Sequence, residues 1–157
     1  MKLLSRALQG APSATNLSDL IDAARLLNDR YRRQHAVLMN QMSHESWAIS
    51  YATVRVAVGR QTGSTTYICE NATDDSLIVC CNAALAAHVA REVARLGKKA
   101  IVVSPAGVAT VVAARSIGIR FSTIFVDDTT WQNQHTIDEV YTAAARGDIS
   151  QQFIFLG

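Results

Sequence analysis

The chain has few of the residues that stiffen or staple a small protein. It holds two prolines, eight glycines and three cysteines in 157 residues, and aromatic side chains make up only 6%. Three cysteines, Cys69 and the adjacent Cys80 and Cys81, cannot form a fully paired disulfide framework, and none stands at metal-ligand spacing from a histidine. They are expected to be buried thiols in a reducing compartment. The four histidines, His35, His44, His88 and His135, are scattered, so no histidine metal centre is expected. Lysine is scarce as well, with Lys2, Lys98 and Lys99 against twelve arginines. The net charge of +2, from 15 basic and 13 acidic residues, excludes a case for nucleic-acid binding built on total charge. No apolar run approaches the roughly 18 to 20 residues that cross a bilayer, so no membrane span is expected. The opening stretch is broken by Ser5 and Arg6 before it can form a signal-peptide core, and a cytoplasmic location is the expectation.

What is present is apolar material for one packed domain: 49% hydrophobic against 18% charged residues. Residues 1–47 read as a loose arm around Gly10 and Pro12 followed by a helix from Asn16 to about Met42. Leu17, Leu20, Ile21, Ala24, Leu27 and Tyr31 recur there at helical steps, and the helix is expected either to dock on the sheet or to reach a neighbour. Arg25, Arg30, Arg32 and Arg33 form a basic cluster, expected as a solvated face, with contact to a phosphate backbone as the alternative. After a polar break at Ser43 to Ser46, short β-rich runs alternate with Ala-rich segments of helical length. The runs are 51–58, 76–81, 100–104, 122–126 and 152–156. The segments between them are 83–96, closed by Gly97, then 107–117, then 136–146, where Thr136 and Glu139 suggest a capping box. This rhythm predicts an α/β fold over 48–157: a three-layer sandwich with a mostly parallel sheet, preceded by the N-terminal helix.

The segment behind the first run carries the functional expectation. A buried strand leads into Gly59, Arg60, Gln61, Thr62 and Gly63, and then into the hydroxyls of Ser64, Thr65 and Thr66 at a helix start. Glycines let backbone amides curl inward, and the positive end of the helix dipole favours an anion, so this turn is suited to phosphate. The phosphate-binding pattern G-x-x-x-x-G-K-[ST] is matched at its last three places by Gly63, Ser64 and Thr65, without the lysine and with the first glycine displaced. About sixty residues on, Ile124, Phe125 and Val126 lead into Asp127 and Asp128, the form of an acidic strand end that holds Mg²⁺ and orients water. In a P-loop arrangement that strand is expected beside the first, with its carboxyl end opening on the same crevice.

The run Gly59-Arg-Gln-Thr-Gly-Ser-Thr-Thr66 resembles the deviant Walker A loop of the large terminase subunits of tailed phages, the DNA-packaging motors, where an Arg-Gln pair precedes Gly-Lys-Thr. The stretch Leu77 to Asn82 with Leu85 to Ala90 is similar to the second strand and helix of that ATPase core, and Phe125 to Asp128 to its Walker B. Phe153 to Gly157 resembles the strand leading to its coupling motif, which helicase-like ATPases share. The resemblance covers roughly residues 48–157. It implies ATP and Mg²⁺ as cofactors, with Gly59 to Thr66 around the nucleotide, Thr65 and Asp127 at the metal, and Arg60 and Asp128 as catalytic groups. It also implies DNA or RNA as a partner, a homo-oligomer or partner subunit, and the host cytoplasm of a virus or mobile element. With the chain closing at Gly157, no nuclease domain is expected.

Two departures stand against full activity: Ser64 replaces the lysine, and Asp128 replaces the usual glutamate. The alternative is therefore a catalytically degenerate P-loop domain that serves as an oligomeric structural or regulatory module. Arg115, Arg120 and Arg146 are candidates for a cation supplied to a neighbouring subunit. Trp47 and Trp131 are expected in the core, at a subunit contact, or at the mouth of the crevice.

Overall fold

The β-branched and aromatic runs of this chain pair side by side because each is apolar on both faces and needs cover above and below. The computed structural model describes residues 17–57, 63–114, 120–127, 133–143 and 148–157. Its elements are α1 (Leu17–Gln34), a 3₁₀ segment (Ala36–Gln41), α2 (His44–Tyr51), β1 (Thr53–Val56), α3 (Ser64–Asn71), β2 (Ser76–Val79), α4 (Ala83–Arg95), β3 (Ile101–Val103), α5 (Pro105–Ala113), β4 (Thr123–Asp127), α6 (Gln134–Tyr141) and β5 (Gln152–Leu156). The five strands form one sheet in the order β1-β5-β4-β2-β3, and every pair in it is parallel. Parallel neighbours require crossover connections, which the intervening helices supply.

Helices cover both faces. One apolar cluster joins Trp47 and Ala48 of α2, Val108 of α5 and Val140 and Tyr141 of α6 to Leu77, Val79, Ile124, Val126, Phe153 and Phe155 of the sheet. The other joins Ile21 of α1, Tyr67 and Ile68 of α3 and Val89 and Val93 of α4 to Ile78, Phe125, Ile154 and Leu156. The alternation along each strand, with Ile124 and Val126 on one side and Phe125 and Asp127 on the other, follows from the two-residue repeat of the pleat. The handedness of parallel crossovers explains the sorting. Connections running from β1 toward β3 carry α3 and α4 on one face, and those returning through β4 to β5 carry α5 and α6 on the other.

Several expectations change. The acidic strand β4 does not lie beside β1: β5 sits between them, in register with both (Val54 opposite Ile154, Ile154 opposite Phe125). The stretch at Ser43 to Ser46 is not a break but the start of α2. Ser43 caps it by accepting a hydrogen bond from the Ser46 amide at 3.1 Å. Trp47 is a core residue, stacked on Tyr51 with ring centroids 4.6 Å apart. The cap of α6 is Asn133 and not Thr136: its Oδ1 accepts from both the amide (2.8 Å) and the hydroxyl (2.9 Å) of Thr136. Gly97 closes α4 as expected, at φ 72°, while Trp131 lies outside the described residues.

Of the two places open to α1 the structure shows the first: it docks on the sheet, largely through polar side chains. Of its apolar residues at helical steps only Ile21 is fully buried; Leu20, Leu27 and Tyr31 are exposed. The inward side is instead made by Ile21, Arg25, Asn28 and Arg32. Arg25 Nε donates to Gln152 Oε1 at 3.3 Å and its Nη1 to the Tyr67 hydroxyl at 3.2 Å, and Asn28 Nδ2 donates to the Tyr51 carbonyl at 2.8 Å. Arg32 is buried, donating to the carbonyls of Ile149 (2.5 Å) and Gln151 (2.6 Å) and pairing with Asp29 (2.9 Å). The end of a parallel sheet leaves carbonyls and amides to be satisfied, and arginine and asparagine side chains satisfy them where leucine cannot. Arg30 and Arg33 stay on the exposed side.

Candidate functional site

The connection from β1 to β2 must cross β5 and β4, so it lays α3 over β4 and brings the first turn of α3 above the end of that strand. Gly63 precedes the helix at φ 88°, the left-handed region that glycine enters without the steric cost of a Cβ. The first backbone bond of the helix runs from the Tyr67 amide to the Gly63 carbonyl at 2.9 Å. The amides of Ser64, Thr65 and Thr66 therefore have no partner within the helix, which is the usual condition of an N-terminal turn.

Asp127 ends β4 on the α3 side of the sheet and is 2% exposed. Thr65 Oγ1 donates to Asp127 Oδ2 at 2.7 Å, and Ser64 Oγ donates to Asp127 Oδ1 at 3.3 Å. A hydroxyl from the first turn of a helix and a buried carboxylate from a neighbouring strand end thus meet across 62 residues of sequence. Gly63, Ser64, Thr65, Thr66 and Asp127 are the expected site residues within the described part of the protein. Gly59, Arg60, Gln61, Thr62 and Asp128 lie outside the described residues, as do Arg115 and Arg146. Arg120 is described and exposed, but it precedes β4 and lies at the opposite end of that strand from Asp127.

The surroundings suppress thiol chemistry. Cys80 follows β2 beside Asp127; burial pushes its thiol up to about 12, and the negative charge of Asp127 adds to the effect. Cys69 on α3 is also raised, first by burial and then by Glu92 and Asp127. Both thiols stay protonated near neutrality and supply no thiolate nucleophile.

For a cation the donor set is oxygen: one carboxylate and one or two hydroxyls. Among the described residues no group of three or more His, Cys, Asp and Glu side chains could hold a metal ion. Two protein oxygens fit Mg²⁺, which keeps several waters and takes its remaining ligands from substrate phosphates, and do not fit a cation that demands an all-protein cage.

Two features carried no clear signal in the sequence. A cleft of about 300 Å³ opens between α3 and α4 beside Thr65 and is lined by Thr66, Glu70, His88, Glu92 and Arg95 among others. The spacing of His88, Glu92 and Arg95 marks one face of a helix, but nothing in it says that α3 lies opposite. The second feature is the Asp22, Arg25 and Tyr67 group. The Tyr67 hydroxyl donates to Asp22 at 2.6 Å and is held up to about 12 by burial and that hydrogen bond. No protein-family model matches the chain, and no curated protein matches it in sequence.

Proposed function

We propose that this protein binds a nucleoside triphosphate with Mg²⁺ in the manner of a P-loop domain. The observation that carries the reading is the 2.7 Å hydrogen bond from Thr65 to Asp127 at the first turn of α3, directly behind a left-handed Gly63. In this reading the amides at the start of α3 receive phosphate oxygens, aided by the helix dipole. Thr65 and Asp127 hold Mg²⁺, Asp127 orienting the hydroxyl and supplying the negative charge. The ion supplies charge neutralisation on the phosphates when bound. Arg60 and Asp128, carried over from the terminase-like pattern, are the cation and the carboxylate of hydrolysis. A link to DNA packaging or translocation rests on that pattern alone.

Ser64 favours a second reading, a module that binds nucleotide without turning it over. A lysine there would reach the transferred phosphate, whereas Ser64 is short and directed at Asp127. Losing comparable electrostatic stabilisation costs about 3 to 4 kcal/mol, or two to three powers of ten in rate.

A fluorescent ATP analogue titrated with and without Mg²⁺, with phosphate release measured in parallel, tests both readings. Mg²⁺-dependent binding that Asp127→Ala abolishes is expected. Absence of binding at millimolar nucleotide, or binding indifferent to Asp127→Ala, overturns the proposal. If Ser64→Lys hydrolyses where the natural protein does not, the binding-module reading holds.

A further inference from the structure

The polar docking of α1 leaves an apolar shoulder. Leu20, Leu27 and Tyr31 are 49%, 64% and 46% exposed, and with the half-buried Ala24 they recur at steps of four, three and four residues, the spacing of a helix–helix seam. The direction of the shoulder follows from its neighbours. Arg25 reaches toward α3 and β5, and Asn28 reaches the chain at Tyr51 and Thr53 beside β1. Continuing around the helix in the same sense leads to Leu20, Leu27 and Tyr31, beyond β1. β1 is terminal in the sheet; Tyr31 at the end of the row stacks on Tyr51 of α2 with ring centroids 5.5 Å apart, while Leu20 and Leu27 remain about half or more exposed. Single exposed leucines are ordinary, but a row of them along one helix is what marks a contact surface.

The charges on α1 say what fits there. Asp19 stands in the first turn and Arg30 close to three whole turns later, both on one exposed flank of the row, while Arg33 faces away from it and pairs with Asp29 at 2.8 Å. A helix laid antiparallel against α1 and bearing the same pattern places its Arg30 beside Asp19 and its Asp19 beside Arg30. The two macrodipoles then also run in opposite directions. The pattern is self-complementary, and a two-fold axis near the middle of the seam satisfies both ends at once.

We propose that a second copy of this chain covers the shoulder, through an antiparallel α1–α1 contact seated on Leu20, Ala24, Leu27 and Tyr31, so that two sheets meet at their β1 edges. Sedimentation velocity over a range of concentrations tests it on the full chain. A dimer is expected. Leu27→Asp, a change at an exposed position, should weaken it about a hundredfold with an unchanged thermal midpoint at low protein concentration. Asp19→Arg and Arg30→Asp should each weaken association, and the double variant should restore it, an outcome that general misfolding cannot produce. A protein that stays monomeric at 100-fold concentration ranges into the tens of micromolar, roughly where weak dimers appear, overturns the proposal. So does a dimer indifferent to Leu27→Asp, or a double charge variant no better than the singles. If deletion of residues 1–16 converts a monomer into a dimer through this seam, the natural occupant is the chain's own beginning, and the proposal fails for the intact protein.

Discussion

The two faces of the one sheet are built differently. Beneath α2, α5 and α6 the interior is almost wholly apolar: Phe153 and Phe155 pack on Tyr141 with ring centroids 5.2 and 5.6 Å away, and Trp47, Val79 and Val126 fill the rest. Beneath α1 and α3 the interior admits Asp127, Arg25, Tyr67 and Gln152, and each is tied by hydrogen bonds. Burial of apolar surface is non-directional and sums over many contacts, whereas a buried polar group is stable only in one arrangement. Apolar burial stabilises both faces, and the second in addition holds polar groups at fixed distances.

Substitutions at the extremes test that division most strongly. Phe153→Ala empties a fully buried site on the apolar face and is expected to lower unfolding stability by about 3 to 5 kcal/mol, read from urea denaturation, with no direct effect on the Thr65–Asp127 contact. Arg32→Ala belongs to the polar side. It leaves the carbonyls of Ile149 and Gln151 without their donor and should cost about 2 to 4 kcal/mol. If Arg32→Ala proves neutral, the buried guanidinium does not fasten α1, and the contrast between the faces fails.

Alkaline pH is a gentler probe. In the folded protein Cys80 is raised from 9.0 and Tyr67 from 10.0, each to about 12. Between pH 9 and 12 the unfolded chain therefore gives up protons that the folded chain keeps, so stability falls as pH rises. The slope approaches about 1.4 kcal/mol per pH unit for each such group. Cys80→Ala should flatten the limb that begins near pH 9, and Tyr67→Phe the part that begins near pH 10. A stability profile that is flat up to pH 11 contradicts the burial of both groups.

How much of this could be read from residues alone differs between the faces as well. The rhythm of short apolar runs and Ala-rich segments located all five strands to within a few residues, because a buried parallel strand is apolar throughout and needs no partner to be recognised. Thr65 and Asp127 were legible as a pair on other grounds, the partial match to the phosphate-binding pattern and the acidic strand end about sixty residues on, and the structure brings the two side chains within 2.7 Å. What the rhythm could not convey was which strands are neighbours. The register of β5 between β1 and β4 depends on long-range packing that leaves no local mark. It also left the docking of α1 open: the apolar period is real but faces largely outward, because the sheet end beneath it demands donors and Arg25, Asn28 and Arg32 outcompete leucine there. Hydrophobic periodicity reports that a helix has two sides, and does not report which side the rest of the protein will take.

Asp127→Asn gives the smallest expected change in stability and the sharpest test of what the polar face is for. The amide is nearly the same size as the carboxylate, and its oxygen can still accept from Thr65, so one hydrogen bond survives while the negative charge is lost. Burial disfavours the charge and the two hydroxyl donors favour it, and these opposing terms leave a net change expected within about 1 kcal/mol. Mg²⁺-dependent nucleotide binding should be lost all the same, since an amide oxygen does not replace a carboxylate toward a hard divalent cation. A variant that keeps its stability and loses metal-dependent binding locates the purpose of Asp127 in the ligand. A variant that unfolds while nucleotide binding in the natural protein proves independent of Mg²⁺ makes Asp127 one more fastening of α3 to the sheet, and the two faces then differ in composition but not in task.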